Sequence, residues 1–534
     1  MERVVVVGSG ASGVHFAQTL LKRGRPVTML DVGRPRPAPV EPEATLDGLK
    51  EKLPDPASYF LGDALEGVLL PDRGSEYYGI PPSKGYVFDP PPGFAHESSG
   101  FEPLSSFARG GLAEVWTGGS YPFNDDDLRA FPFGWTELEP HYVEVARRIG
   151  ITGANDDLTG FLPVHGDLLP PLELDEHSRL LVDAYRRKRD RLNRRGFRFG
   201  RTRVATLPVD RDGRKACSYL GRCLWGCPND ALWTPSMTLD ACRKDPNFTY
   251  VPDVEVLWFT ATTGGTIESV VVRRMDDGRR ETFPLDRLVL AAGTLGSARI
   301  LLDSVRRQSG TVPTLEGLMD NRQVLVPFVN LRMIGRPFRS ESYQYHQLGL
   351  VLETADPAEA MFGLVTTLKT ALVHPIAQAL PFDLGTSLAI TRAMHAALGI
   401  VNLNFHDVRR PENQVTLAPS QGDGPSRLKI RYTPSPDEPG RLRTGLSRLR
   451  RALASLGCIV PPGMAHVRPM GASVHYAGTL PMARGGNAWT TTPECRSRMF
   501  ENLWLVDGST FPALPAKNLT FTMMANAVRV AERF

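Results

Sequence analysis

The chain opens on an apolar run, Val4–Val7, followed by the hexapeptide GSGASG and an amphipathic stretch from about Ala11 to Arg23. A second apolar run, Pro26–Leu30, is closed by Asp31. Four consecutive β-branched residues suit a strand buried on both faces of a parallel sheet. Val14, Phe16, Ala17, Leu20 and Leu21 then supply one apolar helix face. The pattern predicts a βαβ unit. Residues 34–100 are rich in Pro and Gly without periodicity, and read as a long irregular excursion of the kind that serves binding. Around Tyr185–Arg203 about half the residues are Arg or Lys, which predicts a solvated helix face followed by a strand, with an anion-binding patch as the alternative. Residues 251–294 alternate as hairpin material (VEVLWF, SVVVRR) and end in the apolar strand LVLAAG. Met361–Ile400 is apolar but broken by Lys369, His374, Pro375 and Pro381. It is read as helices and loops of a substrate domain, with a subunit or membrane contact as the other use. There is no internal repeat or low-complexity tract.

Composition narrows the class. The 534 residues are 42% hydrophobic and 22% charged, which excludes a mostly disordered or collagen-like chain. The length amounts to roughly three to four domain equivalents, or two large interwoven ones. A net charge of +4, from 62 basic and 58 acidic residues, argues against a nucleic-acid partner. No stretch of about 18 apolar residues predicts a membrane span. No basic segment with an apolar core and cleavage site precedes the first strand, so no secretory signal is read. Six cysteines in this length favour a reducing, cytoplasmic setting.

GSGASG places Gly8, Gly10 and Gly13 in G-x-G-x-x-G spacing between a strand and a helix. Gly8 permits the tight turn, Gly10 lets backbone approach a pyrophosphate, and Gly13 allows close helix–strand packing. The helix N-terminus offers free N–H donors to phosphate. Asp31, about twenty residues on, is placed to accept from a ribose hydroxyl. This predicts a dinucleotide, and the acid disfavours NADP without separating NAD from FAD. A second strand–glycine unit, ENLWLVDGSTFP, follows near the other end of the chain and leads into a final helix. A simple nicotinamide dehydrogenase completes its site within one domain, so a site drawn from two distant segments points to a flavin.

Several segments together resemble the glucose–methanol–choline (GMC) oxidoreductase family. GSGASG with Asp31 resembles its ADP-binding unit. ARGGLAEVWTGG (Ala108–Gly119) is similar to its flavin-contacting segment, most of all in pyranose-oxidase-like sugar oxidases. FGWTELEPHYVEVA, DVEVLWF, LVLAAGTLGSARILL (Leu288–Leu302), SVHYAGTLPM, LWLVDGSTFP and AKNLTFTMMANAVRVAE follow in family order. The resemblance implies an α/β fold. A Rossmann-like FAD domain, over 1–35, 86–125, 205–305 and 462–534, would be interleaved with a substrate domain on an antiparallel sheet, over 36–85, 126–204 and 306–461.

It also implies roles. Gly110, Gly111, Trp116, Thr117 and Gly118 would lie beside the flavin, although Trp116 also suits simple core filling. Val254 would pack near adenine, or is an ordinary hairpin residue. Ala292, Gly293, Asp507, Gly508 and Thr520 would complete the FAD site, with the Asp507–Gly508 turn reaching the pyrophosphate or ribityl chain. His475 takes the family's catalytic position as general base, and Asn518 that of its partner on the substrate oxygen; the alternative for His475 is a satisfied core histidine. Val115 stands where pyranose oxidases carry the histidine that links to flavin, so no histidyl bond is expected there. Asn518-Leu519 replaces the usual Asn-Pro. From about 306 to 460 no segment aligns with a motif of the family.

The implied reaction is FAD-dependent oxidation of a CH–OH group in a sugar, aminosugar or sugar-bearing metabolite, by proton abstraction and hydride transfer to flavin N5. The partners would be a small-molecule alcohol or sugar and oxygen or another electron acceptor. Cys217, Cys223 and Cys227 read as a structural loop near the flavin, with no metal assigned. The alternative is an iron–sulfur cluster serving a dehydrogenase, and a further alternative is a flavin-retaining lyase.

Overall fold

The computed structural model describes residues 2–37, 44–65, 76, 80–368, 377, 380–418 and 426–534. Val4–Val7, buried at all four positions, is the central strand of a five-stranded parallel sheet. The strand order is Leu503–Leu505, Arg287–Leu290, Val4–Val7, Val27–Leu30, Phe248–Val251. Helix Ala11–Lys22 lies on one face of the sheet and packs against helices Pro235–Cys242 and Thr520–Arg533. The latter also packs against helix Trp135–Ile149. Phe16, Leu20, Tyr142 and Phe521 fill this core without solvent contact. On the other face the hairpin stretch forms an antiparallel meander, Val254–Ala261, Ile267–Arg274 and Arg280–Pro284, beside helix Gly293–Ser309.

A second sheet is antiparallel throughout. Its order is Cys458–Ile459, Arg322–Asn330, Leu398–Phe405, Met361–Thr367, Leu348–Leu352, Phe197–Arg201, and His466–Val467 also pairs with Arg322–Asn330. Helices Glu176–Arg186 and Glu438–Ser455 cover it through Leu181, Tyr185, Leu449 and Leu453. The two sheets give the mixed α/β fold that the resemblance implies.

The expected helices and loops of Met361–Ile400 begin instead as a strand. Met361–Val365 are all buried, so both faces are apolar and no two-residue alternation marks the strand. A helix follows at Leu384–Met394, capped by Asp383 accepting from the Thr386 N–H. Lys369, His374 and Pro375 lie outside the described residues. Within the Pro- and Gly-rich excursion, helix Pro56–Leu61 starts on an Asp55 cap and packs Phe60 against Trp225. The basic stretch forms a short helix, Arg189–Asn193, and the strand Phe197–Arg201, with Arg189 paired to Asp157 at 2.5 Å. Among the described residues no helix is long and apolar enough to cross a membrane.

Candidate active site

A cavity of about 790 Å³ is lined from both sheets, within the roughly 300–1,000 Å³ of small-molecule and cofactor sites. Its walls include Gly8, Gly10, Asp31, Gly111, Val254, Ala292, Gly293, Asp507, Gly508 and Thr520. Gly8 has φ +100°, and a Cβ there would meet the Ala291 carbonyl oxygen at 2.6 Å. Glycine is therefore required. At Gly10 a Cβ would meet nothing within 4 Å, so the open side of this turn is space in the cavity.

Ser9 ties three segments together. Its hydroxyl donates to Asp31 Oδ2 and accepts from the Gly110 N–H at 2.9 Å. Tyr250 also donates to Asp31 Oδ2, at 3.1 Å. Burial pushes the Asp31 carboxyl up to about 6, against the bonds from Ser9 and Tyr250 that lower it. Asp507 is held by Ser297 at 2.5 Å and caps the turn at Ser509. The N-terminal turns of Ala11–Lys22, Gly293–Ser309 and Thr520–Arg533 all border the cavity. Helix N-termini and an unfilled glycine cradle on the cavity wall are groups that fit the diphosphate of FAD.

Three of the expected cofactor glycines stand behind the wall. A Cβ at Gly13 would sit 2.1 Å from the Gly8 carbonyl oxygen, which is the close packing its spacing predicted. Gly110 and Gly118 have φ of +93° and +74°, and side chains there would strike Glu114 and Leu232. They shape the segment carrying Trp116 and Thr117, both on the wall. Trp116 Nε1 donates to the Trp233 carbonyl at 2.7 Å, and Thr117 Oγ1 lies 3.0 Å from His346 Nδ1.

His475 and Asn518 line the same cavity. The Nδ1 of His475 lies 3.0 Å from Asn321 Oδ1, and its backbone N–H donates to Asp320 Oδ1 at 3.0 Å. Burial, with a smaller contribution from Arg468, pushes the imidazole down to about 3, so it is neutral near pH 7. Asn518 Oδ1 is buried with no hydrogen-bond partner among the described residues. The preceding Lys517 is fully buried, bonded to Asp127 and to the carbonyls of Pro122 and Phe161.

The antiparallel sheet contributes amides that sequence reasoning missed. Gln323 donates to Asn404 at 2.8 Å and accepts from Arg468 at 2.7 Å, while Asn402 Oδ1 is buried with no hydrogen-bond partner among the described residues. The only signal was a polar run, Asp320–Gln323, at the start of an apolar strand, and all four of its residues are buried.

Cys217 and Cys223 pack against Leu172, Val204 and Tyr343. Burial pushes both thiols up. Among the described residues no three His, Cys, Asp or Glu side chains converge as metal ligands.

The GMC oxidoreductase C-terminal domain model matches residues 409–527. Over 99% of its length the chain is 25% identical to paromamine 6'-oxidase of Streptomyces fradiae and to 6'''-hydroxyparomomycin C oxidase of Streptomyces lividus, covering 90% of each. It is 24% identical to C-glycoside 3-oxidase of Microbacterium trichothecenolyticum, covering 95% of that protein. In fold it is similar to pyridoxine 4-oxidase from Mesorbium loti, with a TM-score of 0.61 at 18% identity, covering 100% of this chain and 99% of that one. An FAD-dependent oxidoreductase from Chaetomium thermophilum superposes with a TM-score of 0.60 at 14% identity, covering 100% and 98%. With the glycine turn, the three helix ends and the strand–glycine unit at Asp507–Gly508 opening on one cavity, the chain carries a match to the GMC oxidoreductase C-terminal domain at residues 409–527 and is an FAD-dependent alcohol oxidoreductase.

Proposed function

We propose that this enzyme oxidises a CH–OH group of a sugar-like small molecule, with His475 taking the hydroxyl proton and Asn518 hydrogen-bonding the same oxygen. The observation that carries this reading is that the neutral His475 and the orphaned Asn518 Oδ1 border the cavity shared with the dinucleotide turn. A buried amide oxygen without a partner requires a donor, which a neighbouring hydroxyl of a sugar would supply, while Asn518 Nδ2–H is the group that would donate to the reacting oxygen. Gly8, Gly10, Asp31, Gly111, Val254, Ala292, Gly293, Asp507, Gly508 and Thr520 would hold FAD, with Trp116 and Thr117 beside it. Bound FAD supplies the acceptor for the carbinol hydrogen, transferred as hydride. His475 then needs only a lone pair aimed at the hydroxyl, and Asn518 holds the reacting oxygen in one pose. Oxygen is the proposed acceptor, in keeping with the oxidases among the relatives.

The walls favour a neutral sugar over a polyamine. The carboxylates lining the cavity among the described residues are Asp31, Glu255 and Asp507. Asp31 is bonded to Ser9 and Tyr250, Glu255 is paired with Arg273 and Arg299, and Asp507 is bonded to Ser297. The amides of Gln323 and Asn402 are suited to neutral hydroxyls.

The test is anaerobic titration of the yellow protein with neutral sugars and aminosugars, following the flavin band near roughly 450 nm. Bleaching by a sugar supports the reading, and aminosugar-only bleaching overturns the neutral preference. Bleaching also excludes a lyase. His475→Ala is expected to slow bleaching by about 10²–10⁴-fold with the spectrum intact; unchanged bleaching would remove His475 from the chemistry.

A further inference from the structure

We propose that Asn321 is a positioning residue that holds His475 as the Nδ1–H tautomer, leaving Nε2 as its basic nitrogen. The inference rests on His475 being the base, and adds what sets its protonation pattern. Asn321 is almost fully buried where Arg322–Asn330 begins, and its Nδ2 donates twice, to the Phe405 carbonyl at 3.0 Å and the Pro515 carbonyl at 2.8 Å. A primary amide has two N–H bonds, and both are used. Turning the amide over would set Oδ1 against two carbonyl oxygens. The orientation is therefore fixed by neighbours that cannot donate, and Oδ1 is the atom 3.0 Å from His475 Nδ1. An amide oxygen only accepts, so Nδ1 carries the proton.

The same amide joins three parts of the site. Phe405 ends a central strand of the antiparallel sheet, Pro515 begins the turn that carries Asn518, and His475 stands on a third segment. The neighbouring Asp320 holds the backbone of that third segment, accepting from the N–H groups of Gly471 at 2.7 Å and His475 at 3.0 Å. Backbone and ring of the histidine are thus set by adjacent residues. Burial keeps the imidazole neutral, which makes the choice of tautomer consequential.

The ring nitrogens of ¹⁵N-histidine-labelled holoenzyme report the tautomer directly, with His475 assigned by its loss in His475→Asn. Protonated Nδ1 and bare Nε2 is the expected result. A proton on Nε2 overturns the proposal. In Asn321→Ala, with flavin content and melting temperature as checks on folding, kcat is expected to fall about 10- to 1,000-fold with little change in KM. Asn321→Asp keeps an acceptor at Nδ1 but sets its second oxygen against the Phe405 and Pro515 carbonyls, so it is expected to recover only part of the kcat lost in Asn321→Ala and, where ionised, to move the acid limb of the kcat/KM profile upward. Unchanged kcat and pH profile in both folded variants also overturns the proposal. The underlying reading fails separately, if His475→Ala bleaches at the native rate whatever the tautomer.

Discussion

Asp320 and Val474 are matched: the carboxylate of one gathers the donors around the left-handed backbone of the other. Val474 has φ +62°, a conformation that β-branched residues rarely adopt. On either side of it the Ser473 hydroxyl and the His475 N–H both point at Asp320, and the Gly471 N–H joins them. The fold accepts an unfavourable backbone at one residue because three buried donors share one acceptor. Burial pushes the Asp320 carboxyl up to about 6, and these three donors oppose that rise.

Removing the acceptor separates stability from chemistry. Asp320→Ala orphans the Gly471 N–H and the Ser473 hydroxyl, leaves the His475 N–H only its bond to Ser473 Oγ at 3.1 Å, and is expected to cost roughly 2–4 kcal/mol by denaturant unfolding. Turnover should fall with it even where the protein is still folded and yellow, because His475 loses its backbone anchor. A variant with native stability and native kcat would show that the segment is held by other contacts.

The glycines of the first turn make a contrasting pair. Gly8→Ala places a Cβ 2.6 Å from the Ala291 carbonyl oxygen at φ +100°, so it is expected to lower the stability of the apoprotein itself. Gly10→Ala meets no protein atom within 4 Å and has ordinary φ, so the apoprotein should melt as wild type does while FAD affinity drops. Apoprotein melting and FAD titration by flavin fluorescence read the two effects apart.

Beside Asn518, the buried pair of Lys517 and Asp127 gives a third expectation. Lys517→Met leaves Asp127 charged without its partner, and is expected to cost about 3–5 kcal/mol. Lys517→Met with Asp127→Leu should recover much of this loss in the same unfolding measurement, since no buried charge remains. Equal losses in the single and double variants would refute the pairing.

Acid sensitivity follows from buried imidazoles. His165 is almost fully buried, neither ring nitrogen has a hydrogen-bond partner among the described residues, and burial pushes it down to about 4. Its folded value lies below the unfolded value of about 6.5, so its contribution is intact above that pH and is lost as pH falls toward 4. His165→Leu should therefore narrow the fall in melting temperature between about pH 7 and about pH 5. An unchanged slope would place the acid sensitivity elsewhere.

The first βαβ unit was legible because each of its parts has a local cause: a β-branched run, glycines where the turn is tight, and an apolar helix stripe. The meander after Val254 was legible for a similar reason, since turns separate its strands. The strand Met361–Thr367 was not, because burial on both faces erased its alternation. Asp320 and Asn321 were opaque in a different way. Their meaning depends on Gly471, His475, Phe405 and Pro515, partners about 80 to 200 residues away in sequence. Cys217 and Cys223 carried an ambiguous spacing, and packing against Val204 and Tyr343 is what the fold makes of them.

The parallel sheet sets Leu503–Leu505 beside Arg287–Leu290 and that strand beside Val4–Val7, while the helix after Asn518 rests on the one after Gly10. On a ribosome adding about 5–20 residues each second, the first glycine turn waits roughly 25 to 100 seconds for the segment that closes its cavity. A nascent chain at that stage exposes an uncovered helix face and an unpaired strand edge, the surfaces through which partly made proteins associate wrongly. A cavity walled by segments so far apart in the chain is complete only after the later of them has been made.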